Sequence, residues 1–538
     1  MQDLKKQNFL AGAAILAVAS IFVKIIGAVY KIPIFNVLDD EGIGYFQVTY
    51  NVYTLVLTIA TAGVPVALSR LVSAAAAREK MGLVKRYFNV SLPVFLVIGV
   101  IAMAAMLIFA DSFARMMNNS SSAPGIRVLA PAVFFVCLIS VYRGYAQGFE
   151  NMIPTAMSQV VEVICKAAFG IVAALWLVRM GYASNIVSAG AILGVTVGLG
   201  LCIPLLIWYK RRLDRGLSLS GDQSALPRRL SVLGEIMKVS IPITLSSSFM
   251  SIMVVIDTSV VLGRLQSALQ QTEADASALF GIYTKGLTIY NFPPALIIPV
   301  AVSIIPAIAS ALARGREDEA KGIMHSSIKL NNLLVMPACA GIVALSGPIL
   351  VALFGDSRQI TTIMLMVLGA ASFFVCLQHI TMAILQANGH ERTMLITFPV
   401  GAVFRIGLSY ILVGIPGVGI LGSPIGTLAC FAAMSALNII FILTKVKARA
   451  KLSDTFIKPL FCTAVMSVMA IFAYKLIYKI GSGLIGTSRT AVWVYLFAAI
   501  AVGAAAYFAL ILLTRTISAE DLKFVPKGDK LAKVLKVK

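Results

Sequence analysis

Fourteen apolar segments recur along the 538-residue chain, and they constrain the fold more than any other feature. A helix crosses the hydrocarbon core of a bilayer in about 20 residues and satisfies its own backbone hydrogen bonds there. The sequence therefore predicts an all-α polytopic membrane protein with fourteen transmembrane helices. The segments lie at residues 9–30, 45–68, 89–110, 126–148, 154–178, 186–209, 239–262, 279–311, 331–354, 360–387, 394–414, 418–444, 456–479 and 490–514.

The eighth segment is unusually rich in proline, with Pro293, Pro294, Pro299 and Pro306. Proline removes a helical hydrogen bond and its ring clashes with the preceding turn. We therefore expect this helix to be kinked.

The composition excludes other classes of protein. Apolar residues make up 59% of the chain, charged residues 13%, and the mean hydropathy is +0.92. These values are incompatible with a soluble enzyme, a disordered chain or a disulfide scaffold. All seven cysteines fall inside apolar segments without a C-x-x-C motif, and the three histidines are scattered, so we expect no metal site.

The net charge of +22 is read as a topology signal. Lysines and arginines concentrate in alternate loops between the predicted spans, as they do on the cytoplasmic side of bacterial-type membrane proteins. This alternation predicts a cell-membrane protein whose N- and C-termini are both cytoplasmic. The motifs of RNA-binding proteins are missing from the sequence, so we expect no nucleic-acid partner.

An internal repeat relates the two halves of the chain. The pentapeptide FFVCL at 134–138 recurs at 373–377, in the fourth and tenth segments. VPVALS at 64–69 resembles IPVAVS at 298–303, in the second and eighth. Matches in corresponding segments predict that spans 1–6 and 7–12 are duplicated halves.

The repeat predicts three regions of the chain. They are an N-terminal lobe over 1–230, a C-terminal lobe over 231–450, and an appendage over 451–538 with spans 13 and 14 and a basic cytoplasmic tail. Six spans in each half give the two lobes the same orientation, as in alternating-access transporters built from parallel repeats. We expect the substrate path to lie between the halves.

Charged residues within the predicted spans are the candidate site residues. Each costs at least about 2.5–3.5 kcal/mol to insert, so such groups face a partner or a wet cavity. Cations outnumber acids, which suits an anionic substrate such as a phosphate or pyrophosphate, because Lys and Arg only donate hydrogen bonds. The charged residues are Lys24, Arg143, Lys166, Lys285 and Arg405, with Glu162 and Asp257.

Several of these residues allow two interpretations. Lys24 and Arg405 lie deep, and we interpret both as cavity residues; Lys24 shares a polar helix face with Lys31. Lys166 is the repeat counterpart of Arg405 and is four residues after Glu162, so it is either a structural partner of Glu162 or a phosphate ligand.

The remaining charges are read from their position in the helices. Arg143 is near a helix end and is interpreted as snorkelling to the headgroups. Lys285 binds phosphate or snorkels outward, and Asp257 holds an ion or neutralises Lys24. Asn51 and Asn291 add polar groups to the second and eighth helices.

Three segments carry a resemblance to a known family: SIFVKIIGAVYKIP at 20–33, AGVPVALSRLVS at 62–73, and the proline-rich stretch 283–306. With them the whole chain resembles the polysaccharide-transporter and MurJ-like branch of the multidrug/oligosaccharidyl-lipid/polysaccharide exporter superfamily, and within it the stage V sporulation protein B group. The resemblance implies two six-helix lobes around a V-shaped cavity, with spans 13 and 14 forming a groove for a lipid tail.

The resemblance also implies flipping of an undecaprenyl-pyrophosphate-linked saccharide, such as the peptidoglycan precursor lipid II. Lys24 matches the basic residue of the first helix in lipid II flippases, and Lys285 lies at or next to that of the eighth. The second helix departs from that pattern, with Asn51 in a polar stretch that contains no basic residue, and Lys31 stands where the family has an acidic residue. The resemblance therefore implies a class of cargo rather than one saccharide.

The sequence thus predicts a flippase of lipid-linked saccharides that works as a monomer. Its expected partners are the lipid-linked substrate, membrane lipids and envelope-synthesis enzymes. Two alternatives stay open: a cation-coupled drug exporter that depends on Asp257 or Glu162, and a non-transporting scaffold for envelope synthesis. The chain has no nucleotide-binding or hydrolase motif, so we expect no enzymatic activity and no cofactor, with Na+, H+ or the membrane potential supplying energy.

Overall fold

The computed structural model describes residues 26–27, 30–216, 226–446, 453–484, 486–514 and 516, and every regular element in them is a helix. The chain packs as two compact units that divide between Thr284 and Lys285. The helices that begin in the first unit are α1 Lys31–Val37, α2 Asp40–Thr61, α3 Val64–Ala77, α4 Met81–Ile108, α5 Ala110–Met116, α6 Ala123–Gly148, α7 Ile153–Arg179, α8 Ser184–Gly216, α9 Arg229–Leu269 and α10 Glu273–Tyr290.

The second unit begins within α10 and continues to the C-terminal helices. Its helices are α11 Phe292–Ala313, α12 Glu317–Ala344, α13 Ser346–Phe354, α14 Gln359–Ala387, α15 Met394–Val413, α16 Gly422–Phe441, α17 Lys458–Leu484 and α18 Arg489–Leu513. Two short π-helical stretches, Ile442–Val446 and Ser453–Ile457, follow α16 and precede α17.

Thirteen helical stretches in the described residues are long and apolar enough to cross a membrane. They coincide with the second to fourteenth segments predicted from the sequence. The first predicted segment, 9–30, lies almost wholly outside the described residues. The all-α, multi-pass fold is thereby confirmed.

Prolines divide two of the predicted spans into two helices each. The second span breaks at Ala62–Gly63, because Pro65 in the first turn of α3 cannot donate a helical hydrogen bond. The eighth breaks at Asn291, where Pro293 and Pro294 begin α11. The kink expected in the eighth span is therefore seen as a one-residue interruption at Asn291, between α10 and α11.

The break after α10 leaves backbone carbonyls without their helical donors. Pro294 has no N–H to offer the carbonyl of Tyr290 four residues earlier. The hydroxyl of Ser372 in α14 donates to that oxygen at 2.9 Å, and Ser372 is fully buried. A side chain from another helix thus replaces the missing backbone bond.

Helix α9 follows the predicted lobe boundary at residue 230, yet it packs against α2, α3 and α4 in the first unit. The Tyr87 hydroxyl of α4 donates to Glu235 Oε2 of α9 at 2.6 Å. The lobe boundaries at 230 and 450 were predicted from the internal repeat, and they stay predictions. The division into two packing units lies elsewhere, between Thr284 and Lys285.

The start of α2 also meets the start of α10 within the first unit. A Cβ atom at Gly44 would lie 2.1 Å from the carbonyl oxygen of Ser277, so only glycine allows this approach. Nearby, the Asn119 amide donates to the Ser277 hydroxyl at 2.6 Å. This contact joins helices that the sequence assigns to different repeat halves.

Helices α17 and α18 pair with each other and dock on α12 and α13 of the second unit. The Tyr507 hydroxyl donates to the carbonyl of Leu333 at 2.7 Å. Arg489 Nε donates to the carbonyl of Ala352 at 2.9 Å, at the end of α13 where helix carbonyls are otherwise unpaired. The two appended helices are thus held by polar contacts as well as by apolar packing.

Candidate functional site

Two lysines and two tyrosines of the first unit form a compact group, which we call the tyrosine–lysine cluster: Tyr30, Lys31, Tyr50 and Lys166. The Lys166 ammonium lies 4.3 Å from the centroid of the Tyr30 ring and 5.7 Å from that of Tyr50. The Lys31 ammonium lies 5.7 Å from the same Tyr50 ring. Both cations are therefore stabilised by the electron-rich faces of aromatic rings.

Close helix packing places Lys166 in this cluster. A Cβ atom at Gly194 of α8 would lie 2.3 Å from the carbonyl oxygen of Lys166, so glycine lets α7 and α8 approach at this level. The short helix α1 also packs on α7, with Ile34 fully buried. Lys166 is 8% exposed as a result, and its ammonium points to the rings.

The aromatic side of the cluster is itself a packed set of rings. Phe35 of α1 meets Phe46 of α2 edge to face at 5.6 Å, and Phe46 stacks on Tyr50 at 6.2 Å. Such ring pairs add roughly 0.5–1.5 kcal/mol beyond their buried area. They fix the orientation of the Tyr50 ring against which both lysines lie.

Glu162 pairs with Arg143 and not with Lys166. Arg143 Nη2 lies 3.1 Å from Glu162 Oε2, and Arg143 Nε donates to Ser158 Oγ at 2.9 Å. Among the described residues the salt bridge of Glu162 is therefore made by Arg143, and the snorkelling of Arg143 stays a prediction. The guanidinium of α6 reaches two acceptors on α7, a geometry that its planar donors favour over an ammonium.

Asn51 and Asp257 lie at a contact between α2 and α9. The Asn51 amide donates to Thr258 Oγ1 at 2.9 Å and accepts from Gln47 Nε2 at 2.7 Å. Asp257 is 3% exposed beside this bridge. Lys24, which the sequence proposes as a partner of Asp257, lies outside the described residues.

Lys285 in the second unit forms an ion pair with a loop carboxylate. Its ammonium lies 3.4 Å from Asp356 Oδ2, and the two side chains are 9% and 2% exposed. Asp356 also accepts hydrogen bonds from the Arg358 backbone N–H at 3.1 Å, from Arg358 Nε at 2.9 Å and from Thr361 Oγ1 at 3.3 Å. An ion pair with Asp356 was not among the interpretations of Lys285 from the sequence, and both of those, phosphate binding and outward snorkelling, stay predictions.

The loop carboxylate lies between α13 and α14, outside the membrane-spanning stretches. Burial alone would raise the pKa of Asp356. Hydrogen bonds from Arg358 and the positive charges of Lys285 and Arg358 outweigh that effect and lower the pKa to about 2. The carboxylate is thus fully ionised at neutral pH.

The other predicted residues of the second unit are separate from this pair. Arg405 is 9% exposed in α15, packed where Gly426 of α16 comes close to its backbone carbonyl. Asn291 forms the break between α10 and α11, and its amide donates to the carbonyl of Leu287 at 2.7 Å. Asn291 therefore caps a helix end, and its role in binding stays a prediction.

The structure adds partners that the sequence reasoning missed. Tyr30 and Tyr50 are the chain neighbours of the predicted Lys31 and Asn51, and this adjacency was the signal that the sequence offered for them. Asp356 gave no such signal, because it is 71 residues from Lys285 in a loop.

The tyrosine–lysine cluster suits an anion. Aromatic rings attract the lysines without neutralising them, and the nearby carboxylate of Glu162 is held by Arg143. In the part of the chain that the structure describes, Lys31 and Lys166 make no ion pair with a carboxylate. Two ammonium groups against one ring can therefore bind negatively charged oxygens.

Comparison with known proteins places the chain in a family context. A model of the polysaccharide biosynthesis protein family matches residues 9–312.

Three proteins of Bacillus subtilis (strain 168) are similar over most of their length. The uncharacterized membrane protein YabM is 26% identical, covering 99% of this chain and 98% of YabM. Stage V sporulation protein B is 24% identical, covering 97% and 98%. Lipid II flippase MurJ is 25% identical, covering 76% and 77%.

Solved structures with the same fold include transporters of one superfamily. An inward-facing multidrug resistance MATE family transporter of the MOP superfamily superimposes with a TM-score of 0.64 at 18% identity, covering 80% of this chain and 98% of that chain. Lipid II flippase MurJ in an inward closed conformation gives 0.63 at 14% identity, covering 94% and 98%. The predicted MATE/MurJ-like fold and the predicted resemblance are confirmed.

Proposed function

The chain belongs to the polysaccharide biosynthesis protein family, and from this premise we propose that it is a membrane flippase for lipid-linked saccharides. The proposed cargo is an undecaprenyl-pyrophosphate-linked saccharide used in envelope synthesis. The names of two similar proteins, Stage V sporulation protein B and Lipid II flippase MurJ, support this class of cargo.

The observation that carries the proposal is the tyrosine–lysine cluster. Lys31 and Lys166 present two ammonium groups at one ring, Tyr50, inside a membrane-spanning unit. Burying such cations is costly, so their presence within a membrane protein supports a functional role. A pyrophosphate offers several anionic oxygens and can bind both lysines at once.

The chemistry of transport then follows from where charge and apolar surface lie. The cluster binds the pyrophosphate, and the saccharide follows it through the protein. The undecaprenyl tail stays in lipid, because transfer of each of its methylene groups to water would cost about 0.8 kcal/mol. Movement of the two repeat halves exposes the bound headgroup to each side in turn. A Na+ or H+ gradient or the membrane potential drives the cycle, and both termini are cytoplasmic.

Native mass spectrometry of the purified protein tests this proposal. The protein is titrated with undecaprenyl pyrophosphate, with undecaprenyl monophosphate and with the lipophilic cation tetraphenylphosphonium. We expect preferential binding of the pyrophosphate, reduced about tenfold or more in Lys166→Gln, in keeping with a lost charge-assisted contact of about 1.5–3 kcal/mol. Lys24→Ala, at the basic position of the family resemblance, should reduce binding similarly.

Lys445→Gln is the matched control. Lys445 also lies over an aromatic ring, 4.9 Å from the centroid of Phe441, but on the exposed π-helical stretch outside the cluster. Its loss should leave pyrophosphate binding unchanged. Preferential binding of tetraphenylphosphonium, lost in Asp257→Asn, would instead identify a drug exporter.

A further inference from the structure

The exposed face of α8 changes from apolar to basic towards the end of the helix. Residues three or four positions apart lie on one side of a helix. On α8 this spacing joins the exposed Leu201 and Pro204 to Trp208, which is 51% exposed, and then to Arg212 and Arg215, which are also exposed. The face therefore passes from a surface suited to lipid tails to one suited to charged headgroups.

Trp208 marks the boundary between these two parts of the face. Tryptophan collects where a membrane meets water, because its ring is apolar and its N–H is polar. The Arg212 guanidinium carbon lies 5.6 Å from the centroid of the Trp208 ring, and the Tyr209 ring meets the same ring edge to face at 4.8 Å. The apolar span of α8 also ends here, at Arg215. Arg212 therefore lies at the depth of the lipid headgroups.

The inward side of this helix end engages the nearby carboxylate. The Lys210 ammonium lies 2.7 Å from Asp214 Oδ2, and the Tyr145 hydroxyl donates to Asp214 Oδ1 at 3.0 Å. Tyr145 is fully buried, so these contacts fix the rotation of the helix end. Asp214 is thus held on the side of α8 that faces the protein.

Three exposed arginines remain on the outward side, Arg211, Arg212 and Arg215. Within the described residues, none of them forms a salt bridge with a carboxylate. A guanidinium binds phosphate oxygens through two parallel hydrogen bonds, and basic residues at a membrane surface attract anionic lipids. An anionic phospholipid offers a phosphodiester at this depth and acyl chains that fit the apolar part of the face.

We propose that Arg211, Arg212 and Arg215, beside Trp208, form a binding surface for the headgroup of an anionic phospholipid. The arginines bind the phosphodiester and the net negative charge, while the tryptophan ring contacts the glycerol region and the start of the acyl chains. None of these residues belongs to the tyrosine–lysine cluster. The inference is therefore independent of the cargo proposed above.

Quenching of Trp208 fluorescence by brominated lipids tests the inference. The chain has three tryptophans, so Trp176→Phe with Trp493→Phe leaves Trp208 as the reporter in the full-length protein. The protein is reconstituted in phosphatidylcholine vesicles with equal mole fractions of brominated phosphatidylglycerol or brominated phosphatidylcholine. We expect the anionic lipid to quench with an apparent affinity at least about fivefold higher, the effect of roughly one charge contact at a membrane surface. Equal quenching by the two lipids would overturn the inference.

Replacement of the three arginines locates the effect. Arg211→Gln, Arg212→Gln and Arg215→Gln, combined in the same reporter background, should lower the affinity ratio of the two lipids to about one. The melting temperature in detergent should stay near that of the parent, because the three side chains are exposed. A ratio that the triple variant leaves unchanged would refute the role of this surface.

The matched control removes the same charge from another exposed segment. Arg314→Gln, Arg316→Gln and Lys321→Gln alter the start of α12 and the turn before it, where Arg316 and Lys321 lie 3.4 Å and 3.6 Å from glutamate oxygens. This variant should keep the affinity ratio of the parent. An equal fall in both triple variants would attribute the preference to net charge alone and overturn the inference.

Two further measurements keep the inference testable. Arg212→Gln alone serves where the triple variant does not fold, and it should lower the ratio at least about twofold. Unbrominated undecaprenyl phosphate that displaces the brominated phosphatidylglycerol better than unbrominated phosphatidylglycerol does would assign the surface to the lipid carrier and refute a phospholipid site. The pyrophosphate titration of Lys166→Gln uses different residues, so either proposal can fail while the other stands.

Discussion

At the scale of single residues, the candidate site depends on which partner each buried cation finds. Arg143 and Lys285 have carboxylate partners, Glu162 and Asp356. Lys166 instead lies against the rings of Tyr30 and Tyr50. A cation on a ring keeps its full charge, so it remains able to attract a phosphate, whereas a cation in a tight ion pair must first give up its partner.

Replacement of the shared ring tests this reasoning. Tyr50→Leu should weaken pyrophosphate binding about three- to tenfold, because cation–π contacts contribute roughly 0.5–2 kcal/mol and orient both ammonium groups. Tyr50→Phe keeps the ring and should bind within about twofold of wild type. The affinity of each purified variant for pyrophosphate is measured by titration. Equal affinities of the Leu and Phe variants would refute the role of the ring.

The ionisation of Asp356 predicts the pH dependence of its contribution to stability. Its pKa falls to about 2 in the folded protein, below its ordinary value, so its stabilising effect is fully present above about pH 4. The effect is lost as the pH falls through about 2. Thermal unfolding should therefore show a constant difference between wild type and Asp356→Asn from pH 7 to about 4, narrowing in more acidic buffers. A difference that already closes near pH 5 would contradict the strong pairing with Arg358.

At the scale of helices, prolines decide where a span is interrupted and other helices repair the backbone. Pro65 begins α3, and Pro293 and Pro294 begin α11. The carbonyl of Tyr290 is left without its helical donor and is satisfied by Ser372. Interruptions of this kind persist in membrane helices only where a neighbouring group accepts or donates the missing bond.

Removal of the Ser372 hydroxyl should therefore destabilise the fold. Ser372→Ala leaves the buried carbonyl of Tyr290 without this donor, which should lower the free energy of unfolding by about 1–3 kcal/mol. The measurement is the melting temperature in detergent, which should fall. In a Pro294→Ala background the restored N–H should reduce that cost. Ser303→Ala is a control, since Ser303 is an exposed residue whose hydroxyl donates to the carbonyl of Val300 in its own helix; an equal effect of the two serines would refute the assignment.

At the scale of the molecule, the first packing unit contains helices from both predicted repeat halves. Helix α9 packs on α2, α3 and α4, and Asn119 and Ser277 join the start of α6 to the start of α10. Alternating access requires the repeat halves to move relative to each other. The proposed transport cycle therefore predicts that contacts between the repeat halves within this unit break as the halves move.

A disulfide across this contact should arrest transport. Asn119→Cys combined with Ser277→Cys places two thiols where the native side chains lie 2.6 Å apart. Flipping of a fluorescent undecaprenyl-pyrophosphate saccharide in proteoliposomes should stop on oxidation and return on reduction. Asn119→Cys alone and Ser277→Cys alone, oxidised in the same way, are the controls and should not affect transport. Full activity of the oxidised Asn119/Ser277 pair would show that this contact stays closed throughout the cycle.

The sequence by itself determined the helical, multi-pass fold, because apolar length and proline position act locally and need no knowledge of neighbours. It also identified Lys166, Lys285 and Arg405, three of the four buried cations in the described part of the chain, because a charge within an apolar segment can be seen in the sequence; Lys329 was missed. Tertiary structure alone decided their partners: Glu162 with Arg143 rather than Lys166, and Lys285 with Asp356 from a loop far along the chain. Which side chains pair depends on which helices pack together and on where along their lengths they touch. Glycines such as Gly194 and Gly44 determine those points of closest approach to other helices.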